Sequence, residues 1–398
     1  MRIAYITAKA PYGKGETFII DEINMLKKLK VDVVIFPRNP DLDIFHGNAK
    51  SLAQYTYWLP LINLKILLIF LLSLINFKLW YIVYNIIKNS RDIKILIKNL
   101  GVLPKAVYLA NLFKKLKIDH IHAHWGSTTS TMGYVISLLT GIPWSFTLHR
   151  WDISENNMLN EKIKNAIFVR IISKNGYNEL LKLIDKKYKT KIKIIYVGVE
   201  IPKILKNSRG LKKEMFTIGV PANLVLKKGH IYLIEACKLL FDKGIKNFKC
   251  IFFGDGPLRR KLEDKIKEYK LEEYIEIQGM IPNEYLKRLY ELGAIDLVVL
   301  PSIMVNEKEL EGIPVALMEA MSYGIPVIST NTGGIPELID DAGIIVPDKD
   351  PCSLANAIEE CLTNEKYRVN LGLLGRRKVM QDFNLKKNVK ILLYEIKR

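Results

Sequence analysis

Two carboxylates, Glu311 and Glu319, bracket the segment Glu311-Gly312-Ile313-Pro314-Val315-Ala316-Leu317-Met318-Glu319-Ala320-Met321. Pro314 has no backbone N–H, so it belongs in the first turn of a helix opening near Ile313. That leaves Glu311 in the preceding loop and Glu319 in the second turn, about 10 Å away. Carboxylates so placed can hold a ligand at both ends, and the unpaired N–H groups and positive dipole end between them favour a phosphate. The same spacing also describes a capping carboxylate followed by a solvated helix residue. Spacing alone leaves both readings open. Lys228, in Lys228-Gly229-His230, could supply a cation, and Gly254-Asp255-Gly256-Pro257 a close backbone approach. Gly13 and Gly15 follow the first apolar run; loop N–H groups there could meet phosphate oxygens, or the pair could be an ordinary turn. His120, His122 and His124 alternate, so a strand puts all three on one face. That spacing invites a zinc site, but no carboxylate or cysteine accompanies them at ligand spacing, so no metal is expected.

Short apolar runs alternating with longer amphipathic ones must position these groups. Residues 2–7, 31–36, 120–124, 145–148, 168–172 and 192–197 read as strands in the first half. Residues 216–220, 249–253, 275–278, 297–300, 326–329 and 343–346 do so in the second. Helical stretches such as 19–29, 129–139 and 231–243 lie between them, which argues for two parallel-sheet α/β domains. No fixed-period repeat occurs, which disfavours a solenoid. The boundary is expected in residues 201–213, a Lys/Arg-rich stretch with Pro202 and Gly210. The domains are then 1–203, joined by a terminal helix at 384–398, and 204–383.

Residues 59–87 depart from this pattern. Their apolar run, Ile66 to Ile75, is about half the roughly 20 residues that a spanning helix needs. It reads either as a buried helix or as one dipping into a single leaflet, with Lys78, Trp80, Tyr81, Tyr84 and Lys88 at the interface. Spanning is the weakest of the three readings.

The chain has 398 residues, 49% hydrophobic and 25% charged, which excludes disordered, collagen-like and disulfide-stapled classes. Its net charge is +19, and residues 1–200 carry +15 of it, with 29 basic and 14 acidic side chains. Such a field favours anionic partners. No arginine-aromatic run of the single-strand-binding kind is present, so nucleic acid is not expected. Four cysteines without a Cys-x-x-Cys pair point to a reduced, cytosolic compartment. The N-terminal apolar run is too short for a signal peptide.

The two-Glu block, followed by Tyr323-Gly324-Ile325-Pro326-Val327-Ile328-Ser329-Thr330 and Gly333-Gly334-Ile335-Pro336-Glu337-Leu338, resembles the signature of retaining family-4 glycosyltransferases. The wider chain is similar to their exopolysaccharide, colanic-acid-type branch. Gly15-Glu16-Thr17-Phe18-Ile19, Ile121-His122-Ala123-His124-Trp125, Gly141-Ile142-Pro143-Trp144-Ser145-Phe146-Thr147-Leu148-His149, Lys228-Gly229-His230 and Gly254-Asp255-Gly256-Pro257 support it in order.

The resemblance implies an α/β fold of GT-B architecture, two facing Rossmann-like domains with a C-terminal helix crossing back to the first. It implies a nucleotide-sugar donor on the second domain and an acceptor on the first. Glu319 would bind the ribose hydroxyls, Glu311 would face the donor sugar, and Lys228 would neutralise the donor diphosphate. An ionised carboxylate is acceptor-only and suits a diol, and a fixed cation suits a leaving diphosphate. Gly13, Gly15 and Gly254 would approach the donor, His149 would stand near its sugar, and Met280 and Ile281 would border the nucleobase. The family often has an arginine five residues before the lysine; here Asn223 stands there, a hydrogen-bonding group without charge. No metal or other cofactor is implied. The expected function is retaining transfer from a UDP- or GDP-sugar to a glycan or lipid-diphosphate-linked glycan of surface polysaccharide. It would take place at the inner, anionic face of the cell membrane. A UDP-sugar 2-epimerase of the same fold and a non-catalytic basic membrane-surface protein are the alternatives.

Overall fold

Strand residues point alternately to the two faces of a sheet, and the first six strands use both faces for burial. A computed structural model describes residues 1–13, 16–202, 215–305 and 311–398. The first unit comprises Met1–Val197 with Leu385–Arg398, and the second Gly198–Asn384. In the first, β1 (Arg2–Thr7), β2 (Asp32–Pro37), β3 (His120–His124), β4 (Trp144–Leu148), β5 (Phe168–Ile171) and β6 (Ile192–Ile194) form a parallel sheet. Their order is β2-β1-β3-β4-β5-β6. Ala4, Ile6, Ala123, Phe146, Leu148 and Val169 pack into one core, which α4 (Ile93–Lys115) and α5 (Thr128–Thr140) cover. Ile3, Tyr5, Val33 and Phe168 face the other way, against α1 (Thr17–Lys28) and the terminal helix α16 (Leu385–Lys397). The terminal segment thus returns to the first unit, as the family architecture implies. Short helices α6 (Arg150–Glu155), α7 (Leu159–Asn165) and α8 (Lys174–Leu181) complete the unit.

The apolar segment at 59–87 is neither one helix nor a buried one. It forms α2 (Leu64–Ser73) and α3 (Phe77–Asn89), bent by 103°. Two asparagines set the break. Asn63 Oδ1 accepts from Ile66 N–H at 2.8 Å and Asn76 Oδ1 from Lys78 N–H at 2.9 Å, so each caps a new helix. Trp80 Nε1 then donates to the Leu74 carbonyl at 2.8 Å across the corner. Ile66, Leu79, Ile82 and Ile86 reach inward, but Leu72, Ile75 and Phe77 remain 73%, 87% and 89% exposed. Among the described residues no single helix is long and apolar enough to cross a membrane.

The second unit is again a parallel sheet, of β7 (Phe216–Val220), β8 (Phe248–Phe252), β9 (Ile275–Ile277), β10 (Leu297–Leu300), β11 (Val327–Thr330) and β12 (Ile344–Val346). Its order is β12-β11-β10-β7-β8-β9. Helices α9 (His230–Asp242), α10 (Arg259–Glu268), α11 (Asn283–Glu291), α12 (Val315–Ser322), α13 (Ile335–Ile339), α14 (Pro351–Thr363) and α15 (Glu365–Asp382) connect and flank it. Ile218, Leu233, Cys237, Phe248, Phe252, Leu297 and Ile358 lie in its core. The chain enters this unit beside its exit, where Val199 N–H bonds to the Phe383 carbonyl at 2.9 Å. Most of the expected linker, from residue 203 on, lies outside the described residues.

Candidate functional site

A doubly wound parallel sheet leaves a crevice where its strand order reverses, beyond the carboxyl ends of the strands there. In the second unit the reversal lies between β7 and β10. The loop after β7 carries Asn223, exposed, and then Lys228 at the end of a short 3-10 turn, Leu226–Lys228. Glu311 follows β10. The two charged groups, 83 positions apart in the chain, meet here: Lys228 Nζ lies 2.8 Å from Glu311 Oε2, with side chains only 16% and 11% exposed.

Glycines allow this convergence. Gly229 turns the chain into α9 at φ +66°, and a Cβ there would stand 1.9 Å from the Pro301 carbonyl oxygen. Gly254, after β8, approaches Ala222 equally closely, and Gly333 does the same to the Glu311 carbonyl.

Pro314 is the N-cap of α12 rather than part of its first turn, because its ψ of 119° is extended. Glu319 is then the fifth helical residue and is buried, 5% exposed. It does not point into solvent as a bland surface residue would. Its Oε1 accepts from Asn283 Nδ2 at 2.9 Å and lies 3.4 Å from Lys287 Nζ. Asn283 and Lys287 stand one turn apart on α11, hence on one face. Met280 and Ile281 occupy the loop between β9 and α11, Met280 exposed and Ile281 half-buried.

The first unit gathers a second group at its own reversal, between β1 and β3. Gly13 takes φ +83° with its N–H bonded to the Asp43 carbonyl at 3.0 Å. That amide is therefore engaged within the protein and is not aimed at a phosphate. Gly15 lies outside the described residues. Glu16 ties the loop together, with Oε2 accepting from the Lys9 and Ala10 amides at 2.8 and 2.7 Å and Oε1 from the Trp125 indole. Trp125 lies against His149, ring centroids 4.3 Å apart. His149 follows β4, its Nε2 2.8 Å from His124 Nε2. Burial pushes the His149 imidazole down to about 3, so it is neutral at neutral pH.

The three alternating histidines do share a face. His120 and His122 both contact the Ser145 hydroxyl at 2.8 Å, and His122 reaches Thr147 at 3.0 Å. A carboxylate does accompany them, from far away in sequence: Glu22 of α1, with His122 and His124, is close enough to hold a metal. Glu22 is nonetheless already paired with Arg170.

Residues 202–378 match the family model for glycosyl transferases group 1. That match spans nearly all of the second unit, Gly198–Asn384. WcaL of Salmonella typhimurium, named as a candidate colanic acid biosynthesis glycosyltransferase, is 38% identical over 200 residues, 49% of this chain and 48% of that one. The amylovoran biosynthesis glycosyltransferase AmsK of Erwinia amylovora is 34% identical over 250 residues, 59% of each chain. This chain therefore spans about half to three fifths of the length of these relatives. A solved structure of Anabaena Alr3699/HepE in complex with UDP shares the fold with a TM-score of 0.71, 17% identity and 99% of both chains covered.

Within the second unit, sequence reasoning missed Asn283 and Lys287. Their spacing on α11 is legible, but nothing local names Glu319 as their partner. Glu22 and Arg170 left a signal. Glu22 sits on the apolar stripe Ile19, Ile23 and Leu26 of α1, and Arg170 interrupts the apolar strand Phe168-Val169-Arg170-Ile171. A charge on a buried stripe needs a buried partner.

Proposed function

We propose that the chain is a retaining glycosyltransferase that moves a sugar from a UDP- or GDP-sugar to a glycan or lipid-diphosphate-linked glycan in surface polysaccharide synthesis. The Lys228–Glu311 pair at the strand-order reversal carries the reading, because it sets a cation and a carboxylate side by side where a doubly wound sheet takes ligands. In this reading Lys228 turns to the donor diphosphate and Glu311 to the sugar. Glu319, with Oε1 oriented by Asn283 and Lys287, takes the ribose diol. Asn223 adds a hydrogen bond, Gly254 gives the backbone approach, and Met280 and Ile281 border the base. No divalent ion is needed, because Lys228 supplies the counter-charge.

The glycosidic C1–O bond to the diphosphate breaks as the acceptor hydroxyl oxygen attacks from the same face. The acceptor proton passes to the departing phosphate oxygen, and Lys228 stabilises the charge that develops there. No protein nucleophile is required.

Calorimetry with a panel of UDP- and GDP-sugars tests the donor assignment. One donor should bind, and Glu319→Ala should weaken it about 10- to 100-fold, the loss of a hydrogen bond to a charged group. The deficit should shrink when 2′-deoxy-UDP replaces UDP. No binding by any folded sample would favour the non-catalytic reading, and donor consumption without a disaccharide would favour the epimerase.

The corner of α2 and α3 supports an anionic membrane surface as a partner, in keeping with a cytoplasmic protein held peripherally at the inner face. Leu72, Ile75 and Phe77 project from it, and residues 61–117 hold ten basic side chains against one acidic. Apolar insertion and charge attraction then add. Co-sedimentation should show binding to phosphatidylglycerol vesicles, weak binding to phosphatidylcholine, and a drop of about tenfold or more for the triple change Leu72→Ser, Ile75→Ser and Phe77→Ser. Equal binding to both vesicle types would remove the electrostatic part.

A further inference from the structure

One connected array of buried polar groups in the first unit ends at His149. Arg170, inside β5, donates from Nε to the Ile195 carbonyl at 2.7 Å and from Nη2 to the Tyr196 carbonyl at 2.8 Å. Its Nη1 donates to Glu22 Oε2 at 2.5 Å. Glu22 Oε1 accepts the Tyr5 hydroxyl, and the Tyr5 oxygen lies 3.4 Å from His124 Nδ1. His124 Nε2 then meets His149 Nε2 at 2.8 Å. Arg170, Glu22, Tyr5 and His124 are buried, whereas His149 is only partly so.

The donors and acceptors in this array have one consistent assignment. A guanidinium only donates, and the carboxylate beside it only accepts. The Tyr5 proton therefore points to Glu22, leaving the Tyr5 oxygen as an acceptor. His124 Nδ1 faces that oxygen, with Glu22 Oε1 at 3.9 Å, and so carries the ring proton. Burial holds His124 neutral, leaving its Nε2 bare. The short contact between the two rings then requires the proton on His149 Nε2, and His149 Nδ1 is bare as well.

We propose that Arg170, Glu22, Tyr5 and His124 are positioning residues that hold His149 as its Nε2–H tautomer. Its Nδ1 is thereby made an acceptor for a hydroxyl of the sugar substrate or acceptor. The last clause rests on the glycosyltransferase reading; the tautomer does not. A divalent metal on Glu22, His122 and His124 is the competing use of the same atoms. It would place a second cation on the carboxylate that Arg170 already neutralises, and would displace the His122 ring from its two hydroxyl partners.

The test is long-range proton–nitrogen NMR on the full chain labelled at its histidines, with His149 assigned through His149→Gln. His149 should show a protonated Nε2 and a bare Nδ1, and His124→Phe should lose that preference. In steady-state transfer, His124→Phe and Glu22→Gln should lower kcat about 100-fold and leave the donor KM within about twofold. His124→Gln, whose amide oxygen can accept the His149 Nε2–H, should recover most of the rate. A protonated Nδ1 on native His149 would overturn the proposal. So would an unchanged kcat in folded His124→Phe, or stoichiometric zinc uptake that Glu22→Gln abolishes. An Nε2–H tautomer in a chain that transfers no sugar would support the array and overturn only the transfer reading.

Discussion

Lys228→Ala is expected to lower the transfer rate about 100- to 1,000-fold, the loss usual when a fixed group that stabilises transition-state charge is removed. It should also destabilise the second unit by about 2–3 kcal/mol. Glu311, only 11% exposed in its side chain, would keep its charge and lose its partner. The range lies below the roughly 3–5 kcal/mol for breaking a fully buried pair, because both groups keep some contact with water. Adding Glu311→Gln to Lys228→Ala should restore most of the stability, since no lone charge remains, and none of the activity. Thermal unfolding and initial rates on the single and double variants separate the two roles. Equal stability in both would mean that the ion pair is not formed in solution.

Acid is expected to destabilise the first unit well before its carboxylates titrate as a class. Burial holds His120 down to about 4 and His149 to about 3, and keeps His122 and His124 well below the usual imidazole range. An unfolded chain protonates all four near pH 6.5, so below that pH it binds more protons than the native state, and stability falls as pH falls. Asp152 acts in the opposite sense. Burial raises it to about 7, so the native state takes its proton first and gains stability between pH 7 and about 4. Four histidines against one aspartate leave a net loss of about 3–4 kcal/mol between pH 7.5 and 5.5. Set against a domain stability of roughly 5–15 kcal/mol, that loss is large. The buried Lys105 and Lys162, each lowered to about 7, push the same way over the upper part of this range. Chemical denaturation at pH 7.5, 6.5 and 5.5 measures the slope, and His120→Asn should flatten it by about one proton. A flat profile would mean that the histidines are hydrated and titrate normally.

All twelve strands among the described residues are legible in the sequence, because parallel strands buried on both faces read as short continuous apolar runs between amphipathic helices. The break between α2 and α3 was less so. Asn63 and Asn76 are visible as interruptions, yet only their capping hydrogen bonds make them helix starts. The terminal helix shows its apolar stripe, Leu385, Val389, Leu392 and Ile396, in its spacing. That this stripe belongs to the first unit's core follows from the packing around it.

By itself the sequence determined the α/β class and the first-half charge, because each is a local property of residue type and spacing. Tertiary structure decided the pairings. Lys228 meets Glu311 because β7 and β10 are neighbours at the reversal of strand order, and Lys287 meets Glu319 because α11 lies beside α12. Glu22 meets Arg170 across 148 positions because α1 covers the face of β5 on which Arg170 projects. Long-range partners are set by strand order and helix packing, and no window of sequence contains both.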